Sequence, residues 1–354
     1  MLEQVTYPST SDGRSSLIYH YDAQYGTRLT SITDEAEVNY TRWGYDADGR
    51  ANLSEKGKEG LGNSKVSLDY TYINDSNSPR IVITNALGKT AVYHYKVLQG
   101  TRKLVHLEGE ALGSCAASDS YYSYDDFGFE RTVTDNKGYV TETIRNRRGL
   151  VEEMRNPLVW SNGIDSELVE TVDTQKIVTE WRDVLSLPES RTYYSKDESN
   201  VLQAYKREDW VYTPENRISE ITMTDLTTYV EPYSTNGRTR MVTHQYEYHD
   251  ADSTLLKTHT VNGPLDPNTQ NDGVDDVTVS HFDEIGQLTE VINAYGHSTV
   301  YSEYDAAGNA LKITDPNGVV RRMTYTPRGW LKSITVETVK GNSVTQYDYY
   351  PNGM

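Results

Sequence analysis

The sequence predicts an all-β protein made of repeated hairpins. Three observations carry that prediction: a turn signature that recurs along the chain, aromatic content that is almost all tyrosine, and a near absence of helical periodicity. The signature is Asp-x-x-Gly, at Asp46–Gly49, Asp125–Gly128, Asp135–Gly138, Asp283–Gly286, Asp305–Gly308 and Asp315–Gly318. Asn85–Gly88 and Asn293–Gly296 repeat it with asparagine in first place. An acid or amide at the first position and glycine at the fourth specify a type I turn, and that glycine takes positive φ at the bulge closing the hairpin.

Between paired turns lie short β-type runs such as "FERTVT", "QLTEVI" and "NALKIT". In each, the position five after the first glycine is β-branched: Val133, Val291 and Ile313. Each unit reads as strand, turn, strand, turn. Gly286, Gly308, Gly329 and Gly353 are spaced by 22, 21 and 24 residues, each four residues after an aromatic: Phe282, Tyr304, Tyr325 and Tyr349. A period near 20 with one hairpin per unit predicts stacked repeats that form one sheet. Glycine is not obligatory, since "YTPEN" at Tyr212–Asn216 matches "YTPRG" at Tyr325–Gly329, and asparagine tolerates the left-handed conformation.

In chain order, residues 1–150 and 281–354 carry the regular units. Residues 151–280 keep strand-like runs but lose the regular turns, which predicts insertions or decayed repeats in the same sheet. The last unit opens at "YYPNGM" and is expected to be cut at an unfinished repeat.

Composition agrees. The chain has 354 residues, with 29 Tyr against 3 Phe and a hydrophobic share of 36%. Counted with glycine instead of tyrosine, that share is about 35%, below the ~45–50% of ordinary domains. Tyrosine buries a ring while its hydroxyl reaches water or a partner, so a thin sheet wetted on both faces is expected, not a thick oily core. The net charge of −18 opposes a nucleic-acid surface, and the Arg145, Arg147 and Arg148 cluster reads as a solvated turn. No apolar run approaches 18 residues and no leader opens the chain, so export is expected to need a non-classical route or an N-terminal portion not in this sequence. One cysteine, Cys115, excludes an internal disulfide framework and suits a reducing compartment during folding.

Candidate chemistry is sparse. The loop Leu265–Asp276 places Asn268, Gln270, Asp272 and Gly273 at a spacing like that of a Ca²⁺ loop. Val279 stands where a bidentate acid belongs, so a solvated insertion competes with a metal site there. His244 and His249 are five apart, hence on opposite faces of a strand, and no Cys/His spacing suits zinc. Acid pairs such as Asp125–Asp126 and Asp275–Asp276 come with no pocket signal. No cofactor and no enzymatic activity are expected.

Tyr-Asp-x-x-Gly followed by a β-branched strand and Asp-x-x-Gly resembles the YD repeats of Rhs proteins, toxin-complex subunits and teneurins. The residues carrying the resemblance include "YDADGRA" (Tyr45–Ala51), "YDDFGFERTVTDNKGYVTE" (Tyr124–Glu142) and the stretch Ile292–Leu331. The resemblance implies a curved ribbon of hairpins, part of a hollow spiral shell around a C-terminal toxin, held in the bacterial cytoplasm before delivery and then secreted or placed at the cell surface. Implied partners are that toxin, the remaining repeats and a secretion-system spike or adaptor. Asp315-Pro316-Asn317-Gly318 matches half of the family's self-cleavage motif but sits where a repeat turn belongs. A YD-repeat surface binding carbohydrate or a partner protein is the alternative.

Overall fold

The computed structural model describes residues 1–7, 16–35, 37–57, 64–109, 118–228, 237–250, 254–265, 276–326 and 328–349. Among them there are 26 strands and no helix. Every strand pairs antiparallel with the next in sequence, so the chain is one uninterrupted meander. The sheet is curved and unclosed, and its first and last strands do not pair. No helix is long and apolar enough to cross a membrane among the described residues.

The meander sends successive turns to opposite rims. Asp46–Gly49, Asp125–Gly128, Asp283–Gly286, Asp305–Gly308 and Thr326–Gly329 lie on one edge, here called the Tyr-Asp rim because most follow a tyrosine. Asn85–Gly88, Asp135–Gly138, Asn293–Gly296 and Asp315–Gly318 lie on the other. The two turns of each repeat therefore sit at opposite ends of a short hairpin strand.

Strand register divides the side chains between two faces. Ile83, Leu107, Val133, Met154, Ile177, Trp210, Ile221, Val291, Ile313 and Ile334 share an apolar face. Arg42, Glu55, His106, Tyr121, Thr132, Glu142, Arg155, Ser190, Asp209 and Arg322 share a polar one. Among the described residues no second sheet or helix layers onto either face. Only Ile73, Val140, Leu158 and Met323 are buried hydrophobics among the described residues, whereas Ser31, Glu55, Thr132, Thr134, Glu142, Ser190 and Thr258 are buried on the polar side. A single sheet has no second apolar layer to bury against, which limits the hydrophobic contribution and leaves hydrogen bonds a larger share.

Strand length separates the regions. Strands in the last regular repeats run five to seven residues, as in Leu288–Ile292 and Ser298–Tyr304. Between 151 and 265 they run eight to fourteen, the longest being Leu168–Trp181. Two turns in this middle stretch keep the repeat geometry with asparagine in the glycine place: Asp197–Asn200 and Thr213–Asn216, at φ 62° and 64° for the asparagines. The first has no glycine and escapes a search for Asp-x-x-Gly.

Candidate functional surface

The repeat residues act together at the rims. In each turn opened by Asp or Asn on these rims the first residue uses one oxygen twice: Asp305 Oδ1 accepts the N–H of Ala307 at 3.0 Å and of Asn309 at 2.8 Å. Asp46, Asp125, Asp135, Asp283 and Asp315 repeat this geometry, as do Asn85 and Asn293 with their amide oxygens. These are backbone donors that no strand pairs, which is why a short side-chain acceptor is required there. Gly308 closes its turn at φ 85°, a conformation glycine reaches without the Cβ penalty.

Tyrosine at the Tyr-Asp rim has a separate task. Tyr45 Oη donates to the Leu29 carbonyl at 2.7 Å, Tyr124 to Leu104 at 2.7 Å, Tyr212 to Pro188 at 2.7 Å and Tyr325 to Ala310 at 3.1 Å. Tyr304 donates likewise to Leu288. In most of these the acceptor is the first carbonyl of the neighbouring strand, next to the bulge where the ladder slips. Each hydroxyl thus ties one hairpin to the one before it, and this accounts for tyrosine far outnumbering phenylalanine. Burial raises the hydroxyl pKa of Tyr124, Tyr212, Tyr304 and Tyr325, keeping the donor protonated. Trp181 fills the same place with an indole N–H to the Val151 carbonyl at 2.8 Å. Phe282 brings no such donor.

The polar face carries cross-strand ion pairs. Arg42 meets Glu55 at 2.6 Å. Glu142, 2% exposed, is held between Arg131 at 3.2 Å and Arg155. The Arg322 guanidinium draws the Glu303 carboxyl below its usual range, and the Ser190 hydroxyl followed by Arg207 does so for Glu180. Beside Glu142 the long hairpin after Trp160 overhangs a groove of about 390 Å³ lined by Ser123, Arg131, Thr132, Glu142, Arg155 and Trp160. It continues into a hollow of about 440 Å³ that adds His106, Tyr121 and Thr134. The Trp160 indole donates to Thr134 Oγ1 at 3.0 Å, which fixes its ring at the groove wall.

Two histidine pairs escaped the sequence because they form across strands. On the polar face His94, His106 and Tyr121 stack at 5.0 and 4.2 Å, with Glu108 Oε2 3.1 Å from His94 Nε2. On the apolar face His244 Nδ1 lies 3.1 Å from His259 Nε2, and Tyr246 stacks on His259 at 4.8 Å. Burial lowers both pKa values of that second pair, and the neighbouring His244 and Arg217 charges lower His259 further. His249 points elsewhere, to the Phe282 carbonyl at 3.2 Å.

The Ca²⁺ candidates Asn268, Gln270 and Asp272 lie outside the described residues, as do Cys115, Asp275 and Gly353. Among the described residues no group of three or more His, Cys, Asp or Glu is placed to hold a metal. Asp125 and Asp315 are turn formers, and Asp315 Oδ2 meets Arg321 at 3.4 Å. Arg145 donates to Gly149 O, while Arg148 caps the Arg182 carbonyl at 2.7 Å. The cluster is rim lacing around the Asn146–Gly149 turn.

Residues 282–320 and 304–342 match the family model of the RHS repeat, and both windows fall on Tyr-Asp turns with the hydroxyl tie described above. Residues 282–342 of the chain are thus RHS repeats. No curated protein matches its sequence. Among solved structures the YD-repeat chain is similar to TcdB2-TccC3-TEV, with TM-score 0.59, 13% identity, 99% of this chain covered and 19% of the other. It is similar also to a Tc holotoxin pore from Photorhabdus luminescens, with TM-score 0.59, 14% identity, 98% of this chain covered and 18% of the other. At such identities the likeness is one of fold. This YD-repeat chain spans about a fifth of the length of those structures.

Proposed function

We propose that this chain is a wall segment of a toxin shell, a non-catalytic casing that separates a C-terminal toxin from its surroundings until delivery in interbacterial or host antagonism. The observation that carries the reading is a continuous single-layer meander that curls until its rims meet: Arg328, on the turn before the strand Leu331–Val336, pairs with Asp34 on the turn after Leu29–Thr33. A one-layer sheet has little core of its own, and rim contact between distant turns suits a wall. Neighbours with this fold are Tc toxin structures, which supports the same reading. On this reading the protein resides in the bacterial cytoplasm before release and then reaches the exterior or the cell surface. Its partners are the toxin, the remaining repeats and a secretion-system spike or adaptor.

The test is limited proteolysis of the native protein from its producing cells. A segment following the repeats should resist added protease while the wall is folded and be digested once the wall is opened by denaturant. Immediate digestion in the folded protein would remove the shell reading. The groove at Trp160 favours a second reading, a surface that binds carbohydrate or an extended peptide. Saturable glycan binding lost in Trp160→Ala would put that reading first.

A further inference from the structure

The polar face changes character where the hairpin of Val151–Trp160 and Leu168–Trp181 rises over it. At the root of that hairpin the buried Thr174 donates Oγ1 to the Pro157 carbonyl at 2.6 Å and accepts the Thr171 N–H at 2.7 Å. At its tip Ser166 Oγ donates to the Gly163 carbonyl at 2.7 Å and accepts the Asn162 N–H at 2.9 Å. Between them the Trp160 indole, bonded to Thr134, pins the overhang to the sheet. The groove beneath therefore has braced walls, and a ligand entering it bears little of the cost of ordering them.

The floor departs from the repeat in one residue. Ser123 pairs with Thr132 but Tyr124 with Glu130, so Arg131 is the extra residue of a bulge, a place where a side chain is re-aimed. The equivalent Thr30 and Thr289 donate their hydroxyls to the carbonyls of His20 and His281, both at 3.1 Å. Arg131 instead sends Nε and Nη2 to Glu142 Oε1 at 3.2 Å each, and its side chain stays 56% exposed. The hydroxyls of Ser123 and Thr132 bond to each other at 2.6 Å on the same floor. Acceptors come from the hairpin, where Asp165 and Glu167 line the groove. Trp160 borders both the groove of about 390 Å³ and the adjoining hollow of about 440 Å³. Each falls within the ~300–1,000 Å³ of small-ligand clefts.

Guanidinium donors on the floor, carboxylate acceptors on the hairpin and an indole at the wall suit one kind of ligand. Its neighbouring hydroxyls both donate and accept, and its ring has an apolar C–H face to lay on an aromatic. A simple anion is disfavoured, because the three carboxylates of Glu142, Asp165 and Glu167 outnumber the two guanidiniums of Arg131 and Arg155. An extended peptide would add to an open strand edge, whereas every strand from Ser120–Tyr124 to Leu168–Trp181 is paired on both sides. We propose that the groove and hollow under this hairpin are a site for a neutral saccharide of two rings, packed on Trp160 and hydrogen-bonded by Arg131 and Asp165. The proposal rests on the binding-surface reading and narrows it to one ligand class and three named residues.

The experiment is saturation-transfer NMR and isothermal titration of the purified chain with cellobiose, maltose, lactose and N,N′-diacetylchitobiose. A hyaluronan disaccharide and the hexapeptide Ser-Val-Thr-Val-Ser-Val serve as acidic and peptide comparators. At least one neutral disaccharide should bind saturably in the millimolar range, and Trp160→Ala should abolish that binding. Arg131→Met should weaken it about tenfold with an unchanged melting temperature, as expected for the loss of a charged hydrogen bond. If Trp160→Ala does not fold, Arg131→Met and Asp165→Asn carry the test, each with weakened binding expected. No binding by any of the four neutral disaccharides overturns the proposal. So does neutral-sugar binding that these substitutions leave unchanged, which would keep the binding-surface reading but move the sugar elsewhere. Binding of the peptide or the acidic disaccharide in preference to all four neutral sugars overturns it as well.

Discussion

The regular repeats after residue 281 and the long-strand stretch from 151 to 265 form one sheet but are held differently. In the regular part, strands such as Ser298–Tyr304 and Ala310–Thr314 are closed at each end by a turn opened by its own Asp or Asn, and Tyr304 and Tyr325 tie hairpin to hairpin. In the middle, ladders are up to twice as long, and one strand carries Lys206–Glu208 at 3.0 Å on one face and Arg207–Asp209 at 2.9 Å on the other. What persists in both is the tie at the Tyr-Asp rim, from Tyr212, Tyr246 or Trp181. The rim tie is thus the conserved mechanical element of this ribbon and strand length the variable one, because a tie depends on one donor and one carbonyl while ladder length depends only on where a turn comes.

The sharpest way to break the comparison is at the turns. Gly308 has open space around it, so only its backbone conformation resists a side chain. Gly308→Val should cost about 1–3 kcal/mol through strain, and Gly308→Asn less than half of that. In the middle, Asn216→Gly should be nearly neutral, since the asparagine already adopts φ 64°. Thermal melts giving equal shifts for Gly308→Val and Gly308→Asn would refute the turn assignment.

A smaller effect is expected at the ties. Tyr304→Phe leaves the Leu288 carbonyl without its donor and should cost about 1 kcal/mol. Trp181→Phe should cost a similar amount if the indole N–H serves the same purpose. Denaturant midpoints unmoved in both variants would show that the hydroxyls add nothing.

Acid should act on the middle region first. His244 and His259 have folded pKa values below that of free histidine, so the unfolded chain binds protons more readily. Their contribution is present above pH ~6.5 and is lost as pH falls below it through the folded values. His259→Gln should flatten the fall in melting temperature between pH 7.5 and 5.5, and an unchanged slope would rule the pair out. Carboxylates held low, such as Glu303 by Arg322, lose their contribution only further into the acid range.

The smallest separable effect lies at the alkaline end. The raised pKa values of Tyr124, Tyr212, Tyr304 and Tyr325 mean that stability is present below pH ~10 and declines as pH rises through the folded values. Spectrophotometric titration should find tyrosines that ionise only as the sheet unfolds. Full ionisation with the sheet intact would contradict the ties.

Much of the fold was legible because its determinants are local. Asp305 and Gly308 specify a turn through bonds within five residues, and Ile313 marks the apolar face by its distance from that turn. The purpose of tyrosine was half legible: its polar tip signalled a partner, but the partner carbonyl lies on another strand. Asp197–Asn200 was missed because asparagine hides the glycine pattern. His244–His259, Glu142–Arg155 and the Trp160 groove arise from cross-strand register and a long overhanging hairpin, neither of which is encoded within a short window of sequence. Asp34 and Arg328 are 294 residues apart, and only the accumulated curvature of twenty-one strands brings them together. Twist and coiling of a sheet add up small rotations at every strand, so no single stretch of residues determines where the rims meet; the whole ribbon does.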